Sequence, residues 1–95
     1  MPITLKHLRY FDALARHRHF GRAAEASSIS QPALSLQVKE LEEILGAPLV
    51  ERGARQISLT GLGDEFALRA RGVLRAVDEL GALARASAGP LSGRL

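Results

Sequence analysis

Cysteine is absent from the 95 residues of this chain. Its absence excludes a disulfide scaffold, a thiolate zinc site and thiol redox chemistry within these residues. Long apolar runs are also missing, and none approaches the ~18–20 residues that a membrane span requires. The N-terminal segment MPITLKHLRYF does not have the pattern of a signal peptide. We therefore expect a cytoplasmic protein without a membrane partner.

The charge of the chain is weakly biased towards basic residues. Thirteen Lys and Arg residues stand against ten Asp and Glu residues, which gives a formal net charge of +3 and a pI of about 10.2. Hydrophobic residues make up 46% of the chain, enough for one small domain with a folded core. Such mild basicity permits a nucleic-acid partner but does not identify one.

The first part of the chain has the apolar spacing of helices. Residues 5–18 predict a first helix, because four apolar side chains recur on one face: Leu8, Phe11, Leu14 and Ala15. Residues 20–26 predict a short second helix. Residues 27–30 are a polar break before the next helix, and only Ile29 within them is apolar.

A third helix is predicted from Ser30 to about Leu45. Ser30 is a favourable N-cap, and Gly46 is a favourable C-terminal stop. One face of this helix is apolar and is expected in the core: Leu34, Val38, Leu41 and Leu45. Four residues lie on the opposite side, near the N-terminal half of the helix: Pro32, Ser35, Leu36 and Lys39.

A short helix, a tight turn and a longer helix with a polar outer face are typical of a helix-turn-helix. The outer residues suit reading of the major groove, because Ser and Gln can hydrogen-bond to base edges and an exposed Leu can contact a thymine methyl group. The same spacing also fits a helical protein-interaction module that does not bind DNA. Glu40, Glu42 and Glu43 make the later half of the helix acidic, so both interpretations stay open on spacing alone.

The residues after the third helix change to a strand-like pattern. Residues 49–52 and 57–60 are short strand-like segments, and the four residues between them predict a hairpin. Arg52 and Arg55 in this hairpin favour contact with the DNA backbone or minor groove, the alternative being a solvated turn. Thr60 can cap a fourth helix. Its first turn carries Asp64 and Glu65, the sign of charge that a helix N-terminus favours.

This fourth helix carries an apolar stripe at helical spacing: Leu62, Phe66, Val73, Val77, Leu80 and Ala84. A helix of about 25 residues is roughly 37 Å long, more than a domain of this size can cover. A second copy of the helix would bury the stripe. Small residues in or beside the stripe would permit close approach: Ala70, Gly81 and Ala84. The alternative is a frayed, solvated tail.

Other chemistry has little support in the residues. His17 and His19 are two positions apart and do not share a helical face. No carboxylate or thiolate completes a metal site with them or with His7. The aspartates are scattered and suggest no nucleophile–base grouping. We therefore expect no metal, no cofactor and no enzymatic activity.

The run Ser-Gln-Pro-Ala-Leu-Ser at residues 30–35 is the most specific motif in the chain. Further segments accompany it: Arg22-Ala23-Ala24, Leu41-Glu42, Leu45-Gly46, Leu49-Val50-Glu51-Arg52 and Leu59-Thr60. Together they resemble the N-terminal domain of LysR-type transcriptional regulators, and residues 20–39 match the helix-turn-helix of that family. Residues 13–20, Ala-Leu-Ala-Arg-His-Arg-His-Phe, are similar in particular to the peroxide-sensing, OxyR-like branch.

The resemblance implies a mainly α-helical fold. A winged helix-turn-helix with a three-helix core and a two-stranded wing would cover residues 1–60, with the wing at about 49–60. A long linker and dimerisation helix would cover residues 61–86. Residues 87–95 would be a hinge towards an effector-binding domain, so we expect the chain to be part of a longer regulator.

The resemblance also implies sequence-specific binding of double-stranded DNA by a homodimer that reads an imperfect palindrome. The full-length protein would be a tetramer, with RNA polymerase as a further partner and nucleoid association when DNA is bound. Carried over by position, the DNA-binding residues are Ser30, Gln31, Pro32, Ala33, Ser35, Leu36 and Arg55. Lys39 on the outer face and Arg52 in the hairpin join this set. Leu36 departs from the family, where many relatives have a polar residue or Arg.

Overall fold

The computed structural model describes residues 2–53 and 56–88. Four helices and one pair of short strands follow each other along the chain. In order they are α1 (Leu5–His17), α2 (Phe20–Ala26), α3 (Gln31–Leu45), β1 (Val50–Glu51), β2 (Ser58–Leu59) and α4 (Gly61–Ala88). Among these residues, no helix is both long enough and apolar enough to cross a membrane.

A side-chain cap at one end and a glycine at the other set the bounds of the third helix, as the sequence predicts. The hydroxyl of Ser30 accepts the backbone N–H of Ala33 at 3.2 Å. Gly46 ends α3 in the left-handed conformation with φ of 74°, which glycine adopts without the steric cost of a side chain. Helix α1 ends one residue earlier than predicted, because Arg18 takes the left-handed conformation and its N–H closes the last turn on Leu14.

The first three helices enclose the core of the domain. Its largest fully buried side chains come from α1, α3 and the segment that leads into β1: Phe11, Leu14, Leu34, Val38, Leu41 and Leu49. The predicted inner faces of α1 and α3 are confirmed, except that Leu45 is only half-buried at the end of its helix. These contacts fix which face of α3 remains exposed.

The two strands form an antiparallel pair with Val50 opposite Leu59 and Glu51 opposite Ser58. Both strands are shorter than predicted. Thr60 connects this pair to α4, since its hydroxyl donates to the carbonyl of Pro48 and accepts the N–H of Gly63, each at 2.9 Å. The predicted cap at Thr60 is therefore confirmed, and the hairpin and the start of α4 form one joined unit.

Helix α4 extends well past the domain. Its 28 residues correspond to about 42 Å of helix, and the described chain is 57 Å in its longest dimension. The first half of α4 packs on α1 through Ala67, Ala70 and Leu74, all of them buried. Its second half projects away from the core.

Candidate nucleic-acid interface

The turn between α2 and α3 holds the two helices in a fixed relation. Ser28 takes the left-handed conformation with φ of 58°, and the N–H of Ile29 donates to the carbonyl of Ala24 at 3.0 Å. The side chain of Ile29 packs against the core. This arrangement presents α3 as the second helix of a helix-turn-helix.

The outer face of α3 is exposed along its N-terminal half. Pro32, Leu36 and Lys39 are exposed at the centre of this face. Leu36 keeps 68% of its surface, an unusual exposure for a large apolar side chain and one that permits contact with a thymine methyl group. Ser35 and Ala33 are half-buried on the two flanks. The structure thus gathers the predicted residues of α3 on one surface, with Ser30 and Gln31 exposed at its start.

The hairpin is tied to the C-terminal half of α3 through Glu42. One carboxylate oxygen of Glu42 accepts the N–H groups of Leu49 and Val50 at 2.7 and 3.1 Å. The other oxygen accepts from the guanidinium of Arg52 at 2.9 Å. Arg52 therefore shares its charge with a carboxylate, while 44% of its side chain stays exposed. Arg55, the other predicted contact of the wing, lies outside the described residues.

Carboxylates offset much of the positive charge near the N-terminus. Three arginines of α1 and its C-terminal cap form ion pairs: Arg9 with Asp78 at 3.3 Å, Arg16 with Asp12 at 3.0 Å and Arg18 with Asp64 at 3.7 Å. Asp12 also contacts Arg71 at 3.4 Å. Two of these partners lie on α4, so a count of charge along the sequence overstates the positive charge that DNA would meet.

His7 has a structural role that sequence reasoning missed. It is buried, with 6% of its surface exposed, and forms a capping box with Thr4 at the start of α1. Its Nε2 atom contacts a carboxylate oxygen of Glu40 at 2.9 Å. Thr4 and His7 have the spacing of a capping box, with histidine in the position that Glu or Gln usually takes.

The apolar stripe of α4 lies partly within the domain. Phe66 is half-buried and meets Phe11 edge to face, with ring centroids 5.8 Å apart. Val77 is also half-buried, whereas Leu62, Val73 and Leu80 are exposed large side chains and Ala84 is exposed. Ala70, which we expected to help a partner helix approach, instead packs against Leu8 of the same chain.

An apolar groove of about 410 Å³ joins α1 to the exposed part of this stripe. Ile3 and Leu5 contribute exposed side chains at one edge of the groove. Its floor and far edge come from both helices: Leu8, Phe66, Ala70 and Val73. Sequence reasoning missed Ile3 and Leu5, because residues 1–4 precede the helical pattern and Leu5 lies off the predicted inner face of α1.

A profile of the bacterial regulatory helix-turn-helix proteins of the lysR family matches residues 5–64. This match runs from the start of α1 to the first turn of α4. The chain belongs to the LysR family. The predicted resemblance is confirmed, and the matched residues are a LysR-type DNA-binding domain.

Relatives of this LysR chain include two named regulators. The HTH-type transcriptional regulator BudR of Klebsiella aerogenes is 48% identical over 93 residues, which cover 98% of this chain and 65% of BudR. The DNA-binding transcriptional dual regulator OxyR of Escherichia coli (strain K12) is 42% identical over 93 residues, or 98% of this chain and 30% of OxyR. The chain therefore spans less than two thirds of the length of either relative.

A solved LysR-family structure also matches the fold. The crystal structure of the BenM_DBD/benA site 1 DNA complex superposes with a TM-score of 0.87 at 39% identity, covering 92% of this chain and 98% of that one. The predicted winged helix-turn-helix with a long final helix is confirmed. The relatives are transcriptional regulators, and the match to a DNA complex supports the DNA-binding class of this domain.

Proposed function

We propose that this chain binds double-stranded DNA sequence-specifically as a homodimer and regulates transcription as part of a longer, cytoplasmic regulator. The observation that carries the proposal is the outer face of α3. Its exposed centre is formed by Pro32, Leu36 and Lys39, while buried side chains on the opposite face hold the helix in place. An α-helix fits the major groove of B-DNA, so this face can meet base edges.

The roles within α3 differ by position. Leu36 offers an apolar contact for a thymine methyl group, and Ser35 offers a hydroxyl for a base edge or phosphate. Lys39 provides a charge for phosphate or guanine. Ser30, Gln31, Pro32 and Ala33 form the first turn, which in a helix-turn-helix is the part nearest the bases and the adjoining backbone.

The wing would hold the domain on the DNA backbone. Because Glu42 anchors Arg52 and two backbone N–H groups, the base of the wing is rigidly placed beside α3. The exposed part of Arg52 can still reach a phosphate, and we assign a phosphate or minor-groove contact to Arg55.

The longer regulator would have two further features. It would contact RNA polymerase, and residues 87–95 would form a hinge towards an effector-binding domain. Residues 89–95 lie outside the described part of the chain.

The dimer would form through α4. Leu62, Val73 and Leu80 are exposed on the same side of this helix, about 105° from the face that packs on α1, at ~100° per residue. The apolar groove that begins at Ile3 and Leu5 continues this surface. Burial of one such side chain contributes ~1.5–3 kcal/mol, so burial of all three would favour association strongly. Because these side chains form a row along one helix, a second copy of α4 is the occupant that best accounts for their exposure.

Two copies related by a two-fold axis would place their α3 helices in successive major grooves. Their separation of about one turn, ~34–36 Å, predicts an imperfectly palindromic operator. The apolar surface and the DNA-binding surface thus serve one function, because the dimer links two half-sites and raises the affinity for the pair.

Selection of binding sites from random duplex DNA tests this proposal. We expect enrichment of a sequence with two-fold symmetry, and binding that weakens with salt by a log–log slope of about 0.9 for each phosphate neutralised. A double variant, Ser35→Ala with Leu36→Ala, provides the control and should lose the enriched sequence while remaining folded. Failure of the wild-type chain to bind any duplex at low salt would instead favour a protein-interaction module.

A further inference from the structure

A polar cleft of about 690 Å³ opens beside the N-terminus of α3. One wall is the turn from α1 to α2, and the other is the part of the wing that leads into β2. Six side chains with hydrogen-bonding groups line it: His17, Arg18, His19, Arg22, Gln31 and Gln56. Only Gln31 among these belongs to the predicted DNA-contacting residues.

The cleft offers positive charge and donors, without opposing carboxylates in its lining. Of the described residues that line it, none carries a carboxylate. Arg18 is already engaged, since its Nε donates to the carbonyl of Ala15 at 2.9 Å and its guanidinium lies 3.7 Å from Asp64. Arg22 is exposed, and in the described part of the chain no carboxylate pairs with it. It is therefore the main cation available to a ligand.

His19 is oriented by the backbone of α2. Its Nδ1 atom accepts the N–H of Arg22 at 3.0 Å, so in the neutral ring the proton resides on Nε2. That Nε2–H is then a hydrogen-bond donor, and the same backbone contact fixes the ring plane. His19 therefore adds an oriented donor to the charge of Arg22.

Gly21 lies between these groups in the lining of the cleft. A Cβ at this position would lie 3.0 Å from Cε1 of His19 and 3.5 Å from Oε1 of Gln31. A larger side chain would therefore crowd both the oriented ring and the amide. The absence of a side chain at Gly21 therefore preserves the positions of the ring and the amide at the edge of the cleft.

We propose that this cleft holds the DNA sugar-phosphate backbone that borders the major groove at the N-terminus of α3. The inference rests on the proposed function. A helix about 10–12 Å across fills a groove about 12 Å wide, so the two phosphate strands flank the helix. The groups beside the first turn of α3 therefore face one of these strands. Arg22 neutralises one phosphate there, while His19 Nε2–H and the amides of Gln31 and Gln56 donate to its oxygens.

Salt titration of duplex binding provides the first test. Arg22→Gln removes one charge in each copy, so the log–log slope should fall by about 0.9 per copy. Arg22→Lys keeps the charge and should keep most of the slope. Arg75→Gln is the matched control, because Arg75 is an exposed arginine of α4 outside the cleft, and its slope should equal that of the wild type. Far-UV circular dichroism verifies the fold of each variant.

A duplex with single methylphosphonate substitutions locates the contact. Each substitution removes the charge of one phosphate, and the wild type should lose affinity at the phosphates beside the α3 N-terminus. Arg22→Gln should lose nothing further at one of those positions, yet remain sensitive at the others. Equal slopes and equal phosphate profiles for Arg22→Gln and Arg75→Gln, with tight binding by the wild type, would overturn the cleft assignment alone. A wild type that binds no duplex would overturn the proposed function and this inference with it.

Discussion

The Nε2 atom of His7 lies 2.9 Å from Oε1 of Glu40, which joins the first turn of α1 to the exposed side of α3. The Nδ1 atom of the same ring accepts the backbone N–H of Thr4 at 3.1 Å. In the neutral ring, Nε2 therefore carries the proton and donates to Glu40. One buried imidazole thus caps a helix and fixes the position of the helix that would enter the DNA.

Loss of this imidazole should destabilise the domain. His7→Ala removes both hydrogen bonds and leaves a cavity, and we expect a loss of about 2–3 kcal/mol in the free energy of unfolding. Glu40→Gln keeps a carbonyl acceptor for the Nε2–H, so its loss should be below about 1 kcal/mol. Urea denaturation followed by circular dichroism measures both. Equal stability of His7→Ala and the wild type would contradict the assigned role.

Gly63 permits the close approach of α4 to the strand pair. A Cβ at this position would overlap the carbonyl oxygen of Leu49 and lie 3.2 Å from Cβ of Leu59. We expect Gly63→Ala to destabilise the domain by about 1–3 kcal/mol, because a backbone carbonyl cannot move aside as a flexible side chain can.

Gly72 is the matched control on the same helix. A Cβ there meets nothing within 4 Å, so Gly72→Ala should raise stability by up to about 1 kcal/mol through helix propensity. Thermal denaturation of both variants compares them directly. The proposed packing role would be wrong if Gly63→Ala were stabilising like Gly72→Ala.

Leu36 should contribute to base preference rather than to folding. Its side chain is 68% exposed, so Leu36→Ala should leave stability nearly unchanged and relax the preference at a thymine position by about 1 kcal/mol. Leu68→Ala removes a similarly exposed leucine from α4 and should leave the base preference intact. Site selection with both variants measures this, and an unchanged profile for Leu36→Ala would refute the proposed orientation of α3.

The dimer should depend on the exposed side of α4. Leu80→Asp places a charge at the proposed contact, and we expect a monomer in sedimentation with unchanged helix content in circular dichroism. The affinity for a palindromic site should fall by roughly 10²-fold or more, because the half-sites are no longer linked. Val77 is less suitable for this test, since it is half-buried in its own chain.

Leu68→Asp is the control for charge and helix propensity. Leu68 is exposed to a similar degree, 64% against 66% for Leu80, and lies about 120° from it around the helix at ~100° per residue. This variant should remain a dimer. If Leu80→Asp also remained a dimer with full affinity, the interface would have to lie elsewhere, and the α1 surface around Arg9 and Ala13 would be the next region to examine.

The sequence alone determined the elements of this fold. Ser30, Gly46 and Thr60 act through hydrogen bonds or backbone conformations within a few residues, so their roles can be predicted without knowing the tertiary structure. The apolar faces of α1 and α3 are also local patterns, because helical periodicity sets which side chains point together. The exposed face of α3, and with it the candidate DNA-binding surface, follows from these patterns.

Only the tertiary structure decided what the α4 stripe and the charged residues contact. The stripe and the face that packs on α1 lie side by side on one helix, so periodicity could not show that Phe66 belongs to the core while Leu80 is exposed. The ion pair of Arg9 with Asp78 joins residues that are 69 positions apart. Because such pairs depend on where the helices cross, no count along the chain reveals which charges remain available to DNA.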